Sequence, residues 1–281
     1  MKKIFAILMA ALLACSLMSC KNDKDTVTDD ENKVFDEEMV FGKFTYAING
    51  EGTYEITGFI HNEVGSVDVK IPAQIEGRDV TGIGEDAFKA VKTVTSIELP
   101  ETIEYIGQFA FYDCDGISEV VIPDSVSEIG VGAFWGCDKL AKVTLPKDLK
   151  VIDENTFKNC TVLANVTLPE GLLVIGDGAF WGCSAITEIT IPETVTDMGA
   201  GAFYMCNSLA KATVLGDALG KDVEITNEKG KTETIEHTIG EIVFHGCAVD
   251  FTVTVTEGTE FAKYAEDNKY NVTVNTPAEE A

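Results

Sequence analysis

Cysteine is the residue with the most potential chemistry in this sequence, because a thiol can form a disulfide, bind zinc or act as a nucleophile. Five of the eight cysteines follow one another at a constant step of 23 residues: Cys114, Cys137, Cys160, Cys183 and Cys206. Structural zinc sites use closely spaced ligands such as C-x-x-C, and this spacing provides none. The constant step therefore indicates a structural role, which depends on the elements that place the thiols.

Other residues with catalytic potential are scattered along the sequence. The three histidines, His61, His237 and His245, lie in separate segments. The sequence contains no G-x-S-x-G, H-E-x-x-H or G-x-x-x-x-G-K-[ST] motif, so the patterns of common hydrolases, zinc peptidases and nucleotide-binding proteins are missing. We therefore predict that the protein is not an enzyme and needs neither a cofactor nor a metal ion.

The elements that carry the cysteines are repeats of 23 residues with the phrase L-x-x-V-x-L-P-x-x-V-x-x-I-G-x-x-A-F-x-x-C. Phenylalanine recurs with the same step, at Phe88, Phe111, Phe134, Phe157, Phe180 and Phe203. A fixed period of this length is typical of a solenoid, in which stacked units share one core. The sequence predicts a mainly β solenoid of short parallel strands with short helical or irregular turns and terminal caps.

The repeat over residues 140–160 shows how one coil should form. Val143 and Leu145 alternate with Thr144, as in a half-buried strand, and Pro146 ends the strand because it has no amide hydrogen. Phe157 should point inward and stack on its equivalents. Four repeats place glycine after the isoleucine, at Gly107, Gly130, Gly176 and Gly199. We expect a tight turn with positive φ at these glycines, and Asp153 takes the same position.

The same stacking bears on the cysteines. Equivalent side chains of neighbouring coils should lie about 4.8 Å apart and point the same way. The thiols would then form a parallel column, whereas a disulfide needs two cysteines that face each other. We predict that the five cysteines of the column and Cys247 are unpaired and buried.

A row of side chains follows each inward phenylalanine and should point partly outward; we call it the aromatic column. It consists of Lys89, Tyr112, Trp135, Lys158, Trp181, Tyr204 and His245. Its four aromatic residues, Tyr112, Trp135, Trp181 and Tyr204, are the candidate partner-binding residues, because aromatic side chains are enriched in binding hot spots. The alternative is that the rings pack over the next coil and cover the core.

The strands should expose two further columns, which we call the strand face. The first column is Glu98, Val121, Thr144, Thr167, Thr190 and Thr213, and the second is Ser96, Glu119, Lys142, Asn165, Glu188 and Lys211. Both a ladder of strand-forming residues and a polar binding face fit this pattern.

Phe244 follows Phe203 by 41 residues instead of 23, so 18 extra residues interrupt the last repeat. We predict a hairpin there, with its turn near Gly230.

Charge and the first residues of the chain limit the partners. The formal net charge of −26 argues against nucleic acid and anionic membrane surfaces as partners.

Residues 1–19 combine two lysines with an apolar run, as in a signal peptide. Leu17-Met18-Ser19-Cys20 resembles a bacterial lipobox, which implies lipidation of Cys20. Leu12-Leu13-Ala14-Cys15 also fits the pattern but would leave a short apolar run, and an ordinary secretory signal is the alternative to both. Residues 20–40 are acidic and read as a tether.

The repeat phrase resembles the BspA-type (Treponema pallidum type) leucine-rich repeat over about residues 66–247. Residues 41–65 are similar to the lead-in hairpin of that family and residues 248–281 to its terminal strand–helix–strand cap, with an insertion at about 216–238. The resemblance implies an outer-membrane lipoprotein exposed on the cell surface. It would be a monomer that binds a protein or glycan on host or neighbouring cells, as a Bacteroidota-like adhesin. The alternative is an accessory subunit of a surface complex that captures glycans.

Overall fold

The computed structural model describes residues 39–60, 65–226 and 232–275, which form twenty strands and one helix. The predicted signal peptide, Cys20 and the tether up to residue 38 lie outside the described residues, as does His61. Within the described part of the chain, no helix combines the length and apolar character that crossing a membrane requires.

The chain enters the solenoid through an antiparallel unit. Strands β1 (Met39–Phe41), β2 (Phe44–Ile48) and β3 (Tyr54–Phe59) pair in that order, and β3 then pairs in parallel with β6 (Arg78–Ile83). A short strand, β5 (Gln74–Ile75), pairs with β6 in the antiparallel sense. The change to parallel pairing at β6 is where the stacked coils begin.

Most coils contribute two strands, one in the segment that leads to the proline and one before the glycine, although single bridges at Asn165 and Ile239 replace a strand in two coils. The strands of the first series are β4 (Val67–Lys70), β7 (Val94–Glu98), β9 (Glu119–Val121), β11 (Lys142–Thr144), β14 (Glu188–Ile191), β16 (Lys211–Val214), β19 (Thr252–Thr256) and β20 (Asn271–Asn275). Those of the second series are β6, β8 (Tyr105–Ile106), β10 (Glu128–Ile129), β12 (Val151–Ile152), β13 (Val174–Ile175) and β15 (Asp197–Met198). The sequence predicted the first series and missed the second, because two-residue strands carry no alternation that a pattern can reveal.

The register between coils follows the period. Val143 pairs with Val120 and Ile175 with Ile152, each 23 residues apart, and both pairs are parallel. The chain is thus a mainly β leucine-rich-repeat-like solenoid with a 23-residue period, as predicted. Helix α1 (Glu260–Asp267) follows β19. Its N-cap is Thr259, whose hydroxyl accepts a hydrogen bond from the Ala262 amide. Phe261 and Ala265 of this helix are buried at the end of the core.

A continuous stack of phenylalanine rings forms the centre of the solenoid, which confirms the predicted inward position of Phe157. Each ring is almost completely buried and lies 5.1–5.6 Å from the next, with interplanar angles of 4–18°. The stack consists of Phe88, Phe111, Phe134, Phe157, Phe180, Phe203 and Phe244. Phe59 extends it at one end and Phe251 at the other.

The six cysteines that lie in the described part of the chain are free, as predicted. Each thiol donates a hydrogen bond to the carbonyl oxygen of the phenylalanine one coil earlier, as from Cys114 to Phe88 at 2.9 Å and from Cys183 to Phe157 at 3.0 Å. Burial raises the pKa of Cys114, Cys183 and Cys206. Cys247 departs from the prediction in being only partly buried. The column is a set of neutral thiols that link adjacent coils.

The glycines that follow isoleucine have a different role from the one predicted. Gly107, Gly130, Gly176 and Gly199 are not among the residues with positive φ, and neither is Asp153. A Cβ at Gly107 would lie 2.7 Å from the Glu85 amide nitrogen, and one at Gly176 would lie 2.6 Å from that of Glu154. Glycine is therefore needed because the backbones of successive coils approach closely here, and the expectation of positive φ was wrong.

Positive φ occurs instead at two other positions of each coil, two residues before and two residues after the core phenylalanine. The first set is Asp86, Phe109, Gly132, Asn155, Gly178, Gly201 and Ile242. The second set is Ala90, Asp113, Gly136, Asn159, Gly182, Met205 and Gly246. The turn around the phenylalanine thus needs a left-handed residue on each side, and a non-glycine residue there costs roughly 1–2 kcal/mol.

We expect Phe157→Ala to lower the free energy of unfolding by roughly 3–5 kcal/mol, because it leaves a cavity in the middle of the ring stack. Chemical denaturation monitored by circular dichroism measures this loss. Lys150→Ala removes an exposed side chain of the same coil and should change the free energy little. A loss below about 1 kcal/mol for Phe157→Ala would contradict the central role of the stack.

Asp153 allows a pH-dependent test. Burial raises the pKa of its carboxyl group, although the Glu154 amide donates a hydrogen bond to it at 2.7 Å. The ionised form therefore destabilises the fold at neutral pH, and protonation removes this cost. Asp153→Asn should stabilise the protein by roughly 0.5 kcal/mol at pH 7, a small value because the site is only partly buried. The advantage should vanish as the pH falls through the raised pKa, as urea denaturation across pH would measure; a gain that persists at acid pH would contradict this origin.

Candidate functional site

The structure places the seven residues of the aromatic column next to one another in order along the turns. Tyr112 and Trp135 have ring centroids 5.5 Å apart, Trp181 and Tyr204 lie at 4.3 Å, and Tyr204 and His245 lie at 5.7 Å. The rings therefore do pack on the next coil, as the alternative interpretation held. None of the four aromatic side chains is buried, however, so each also presents part of its surface to solvent.

Lysine fills the positions of the column where no aromatic residue stands. The Lys158 ammonium group lies 4.5 Å from the centroid of Trp135 and 4.8 Å from that of Trp181. Lys89 lies 5.8 Å from the centroid of Tyr112 at one end of the column. A cation over the face of an aromatic ring is attracted by its quadrupole, which stabilises the column. Lys158 thereby joins two aromatic pairs into one surface.

Three further apolar residues at the turns were missed from the sequence. Phe109, Met205 and Ile242 all occupy left-handed positions, with φ of 53°, 58° and 52°. Met205 and Ile242 are each 42% exposed, and the ring of Phe109 contacts those of Tyr112 and Trp135. Glycine or asparagine would relieve the backbone strain, so these side chains are held outward at an energetic cost. In the sequence, these residues could have been found by their position two residues before or after the core phenylalanine of their coil.

The strand face also forms as the repeat predicts. Lys142 lies opposite Glu119 and Thr213 lies opposite Thr190 in the parallel register. Thr213 in turn lies opposite Thr254 of β19, which extends the threonine row beyond the last predicted position. Glu98 is paired with Lys70 at 2.6 Å.

Shallow grooves run along the strand face. One has a volume of about 680 Å³ and lies over β14 and β16, and a neighbouring one of about 630 Å³ lies over β11 and the segment that follows it. A third, of about 500 Å³, lies over β7 and β9. The strand face is thus concave in three places, and it offers polar and charged side chains instead of rings.

The insertion forms the predicted hairpin, because β17 (Val223–Thr226) and β18 (Thr232–Ile235) pair in the antiparallel sense. The chain returns to the solenoid through a polar contact. His237 Nδ1 lies 2.8 Å from Asp197 Oδ2, and the Thr238 amide donates to Asp197 Oδ1 at 2.8 Å. Asp197 is buried in β15, so the carboxylate connects the returning segment to the second series of strands.

Two further features bear on chemistry. Among the residues that the structure describes, no group of histidine, cysteine, aspartate and glutamate side chains is arranged to hold a metal ion. His237 and His245 lie in different surroundings, the first against Asp197 and the second stacked on Tyr204.

Residues 81–210 match the family model described as "BspA type Leucine rich repeat region", in six copies. The structure is similar to a leucine rich repeat protein of T. pallidum with a TM-score of 0.65 and 26% identity, over 84% of this chain and 98% of that one. It is also similar to a leucine rich cell surface protein of Faecalibacterium prausnitzii (TM-score 0.51, 25% identity, 77% and 69% covered). A leucine-rich repeat protein of Eubacterium ventriosum shares the fold (TM-score 0.52, 19% identity, 73% and 50% covered). No curated protein matches the sequence.

Proposed function

Because residues 81–210 are a leucine-rich repeat region of the BspA type, we propose that this protein binds a protein or glycan partner at the cell surface and acts as an adhesin. A repeat solenoid presents one extended and rigid surface, and such surfaces serve binding. The similar protein of F. prausnitzii is a cell surface protein, which supports the location. Neither an enzyme activity nor a cofactor is part of this proposal.

The contact surface in this proposal is the aromatic column, through Tyr112, Trp135, Trp181 and Tyr204. The observation that carries it is the strained backbone at Phe109, Met205 and Ile242: the Phe109 ring packs on Tyr112 and Trp135, and the other two side chains are exposed at the turns. Packing within the solenoid alone does not require apolar residues there, because glycine occupies the equivalent position in other coils. Rigid aromatic groups also lose little conformational entropy on binding, which favours affinity.

The anchor in this proposal is a lipid on Cys20, after removal of residues 1–19. The lipobox-like Leu17-Met18-Ser19-Cys20 and the acidic composition of residues 20–40 support it. The protein would then be a monomer whose contact with the outer membrane is limited to the lipid. This arrangement leaves the aromatic column free to meet host or neighbouring cells.

We expect Trp135→Ala combined with Trp181→Ala to abolish attachment to whichever members of an array of host matrix proteins and glycans the wild type binds. The two changes remove the largest rings of the column and the faces over which Lys158 lies. Ile60→Ala with Val249→Ala serves as the control, because it removes two exposed apolar side chains elsewhere. Circular dichroism at the assay temperature confirms that each variant is folded. Attachment by the folded tryptophan variant at wild-type strength would refute the aromatic column as the contact surface.

Lipid anchoring is tested separately. Cys20→Ser should prevent incorporation of radiolabelled palmitate and release the protein from the membrane fraction, while Cys15→Ser should leave both unchanged. Protease treatment of intact cells should degrade the wild-type protein if it faces the outside. Absence of label in the wild type would point to an ordinary secretory signal instead, and equal labelling of the Cys20→Ser variant would place the lipid on another residue.

A further inference from the structure

The middle of the aromatic column differs from its two ends. Lys158 lies there between two tryptophans, with its ammonium group 4.5 Å from the ring centroid of Trp135 and 4.8 Å from that of Trp181. The indole rings attract the cation to their faces, which fixes one positive charge in the centre of an otherwise aromatic surface. The Lys158 side chain is only partly buried, so a ligand can reach this charge from solvent.

The charge of Lys158 is not neutralised, unlike that of the other lysine in the column. Lys89 pairs at 2.9 Å with Asp86, which lies three residues before it in the chain. The equivalent residue in the coil of Lys158 is Asn155, the uncharged counterpart of aspartate with the same shape. Among the described residues, Lys158 forms no ion pair. The two lysines thus occupy the same position in their coils and differ in the charge beside them.

The fold would accept aspartate both before and after Lys158. Asn155 and Asn159 occupy the two left-handed positions of its turn, with φ of 56° and 59°. Asp86 and Asp113 occupy the corresponding positions in two other coils, each with φ of 59°. Aspartate and asparagine both tolerate this backbone conformation. The chain has 47 acidic and 21 basic residues, yet at these two positions it has amides and not carboxylates.

The amide groups of the two asparagines lie against glycines of the next coil. A Cβ at Gly178 would lie 2.7 Å from Asn155 Oδ1, and a Cβ at Gly182 would lie 2.5 Å from Asn159 Oδ1. Glycine at both positions therefore makes room for the amides. Asn155 also donates a hydrogen bond to Glu154 at 3.1 Å. The middle of the column is thus a packed surface of two indole rings, one ammonium group and two amides.

We propose that this surface binds a glycan through a sugar that carries a carboxylate. The inference rests on the proposed function of the aromatic column and names its ligand. The carboxylate accepts hydrogen bonds from the Lys158 ammonium group, and such charge-assisted bonds are about twice as strong as neutral ones. The C–H faces of neighbouring sugar rings stack on the solvent-exposed parts of Trp135 and Trp181, which lie two coils apart, roughly 10 Å. A single aspartate or glutamate side chain of a protein has no ring to stack on either indole, so the geometry favours a sugar acid.

The net charge of −26 does not oppose this ligand as it opposes nucleic acid. Nucleic acid brings a dense row of phosphates to the surface, whereas a sugar acid brings one charge to one cation. At physiological ionic strength the Debye length is about 8 Å, so more distant carboxylates of the protein are largely screened. The local charge at Lys158 therefore decides the interaction.

The test uses the mature full-length chain and two acidic probes. One is an oligosaccharide of alternating glucuronic acid and N-acetylglucosamine, and the other is an oligosaccharide that ends in sialic acid. Each is compared with its carboxyl-reduced form, which keeps the sugar rings and lacks the charge. Isothermal titration calorimetry at physiological salt measures the dissociation constants. The wild type should bind at least one acidic probe about fivefold or more tightly than the reduced form of that probe.

Two variants remove the free charge in different ways. Lys158→Met keeps an apolar side chain between the indole rings and should weaken binding of the acidic probe about fivefold, with binding of the reduced form unchanged. Asn155→Asp should have the same effect, because aspartate there can pair with Lys158. The matched controls, Lys263→Met and Asn165→Asp, make the same changes of charge at exposed positions outside the column and should alter binding by no more than about twofold.

Three outcomes would overturn the proposal: no binding of either acidic probe to the wild type, equal binding of the acidic and reduced forms, or equal weakening by the variants and their controls. Tighter binding of an oligoglutamate peptide than of both glycans, lost in Lys158→Met, would identify an acidic polypeptide as the ligand instead. The Trp135→Ala, Trp181→Ala variant distinguishes this proposal from the proposed function. If that variant loses array attachment while Lys158→Met keeps wild-type affinity for the acidic probes, the aromatic column is the contact surface and only the sugar acid is wrong.

Discussion

The distance between successive coils is the constraint on which the rest of the structure depends. Backbone pairing of parallel strands sets this distance at about 4.8 Å, so equivalent residues of neighbouring coils must fit at that spacing. The phenylalanine rings fit this spacing because they stack nearly parallel to one another, with centroids 5.1–5.6 Å apart. The glycines after isoleucine fit this spacing because they have no Cβ: a Cβ at Gly107 would collide with the backbone of the previous coil. The thiols bridge this distance because each donates a hydrogen bond to the phenylalanine carbonyl oxygen of the previous coil, as Cys114 does to Phe88, where that oxygen also accepts the Val91 amide. The inward positions of successive coils are therefore apolar throughout, although their size varies, as from Ile189 to Ala212.

Regular stacking also brings equivalent surface residues together, and this has an electrostatic consequence. A column of identical charges at such spacing would repel, and the chain avoids it by changing residue type from coil to coil. In the second column of the strand face, Lys142 lies between Glu119 and Asn165, and Lys211 lies beside Glu188. In the aromatic column, Lys158 lies between two tryptophan rings.

The period predicted most of the fold, because one physical requirement repeats many times and each copy adds to the signal. The buried Phe157, the free thiols and the order of the aromatic column all followed from it. The role of Gly107 could not be deduced, since glycine serves both positive φ and close backbone approach, and only coordinates distinguish the two. The second series of strands was missed because Val151 and Ile152 are too few to show a pattern. Phe109, Met205 and Ile242 were missed because the sequence does not reveal which backbone positions are left-handed. The contact between His237 and Asp197 joins residues 40 apart across an insertion, where the period gives no guidance.

The equal register of the coils has a consequence for how such a chain can evolve. A genetic crossover between two repeats would delete or duplicate 23 residues. Each coil would still pair in register with its new neighbour, as Val120 pairs with Val143. The fold would survive, while the separation between its surface features would change by one coil, about 4.8 Å. Such a chain can therefore alter the distance between its surface features in discrete increments, and natural variants should differ in length by whole multiples of the repeat.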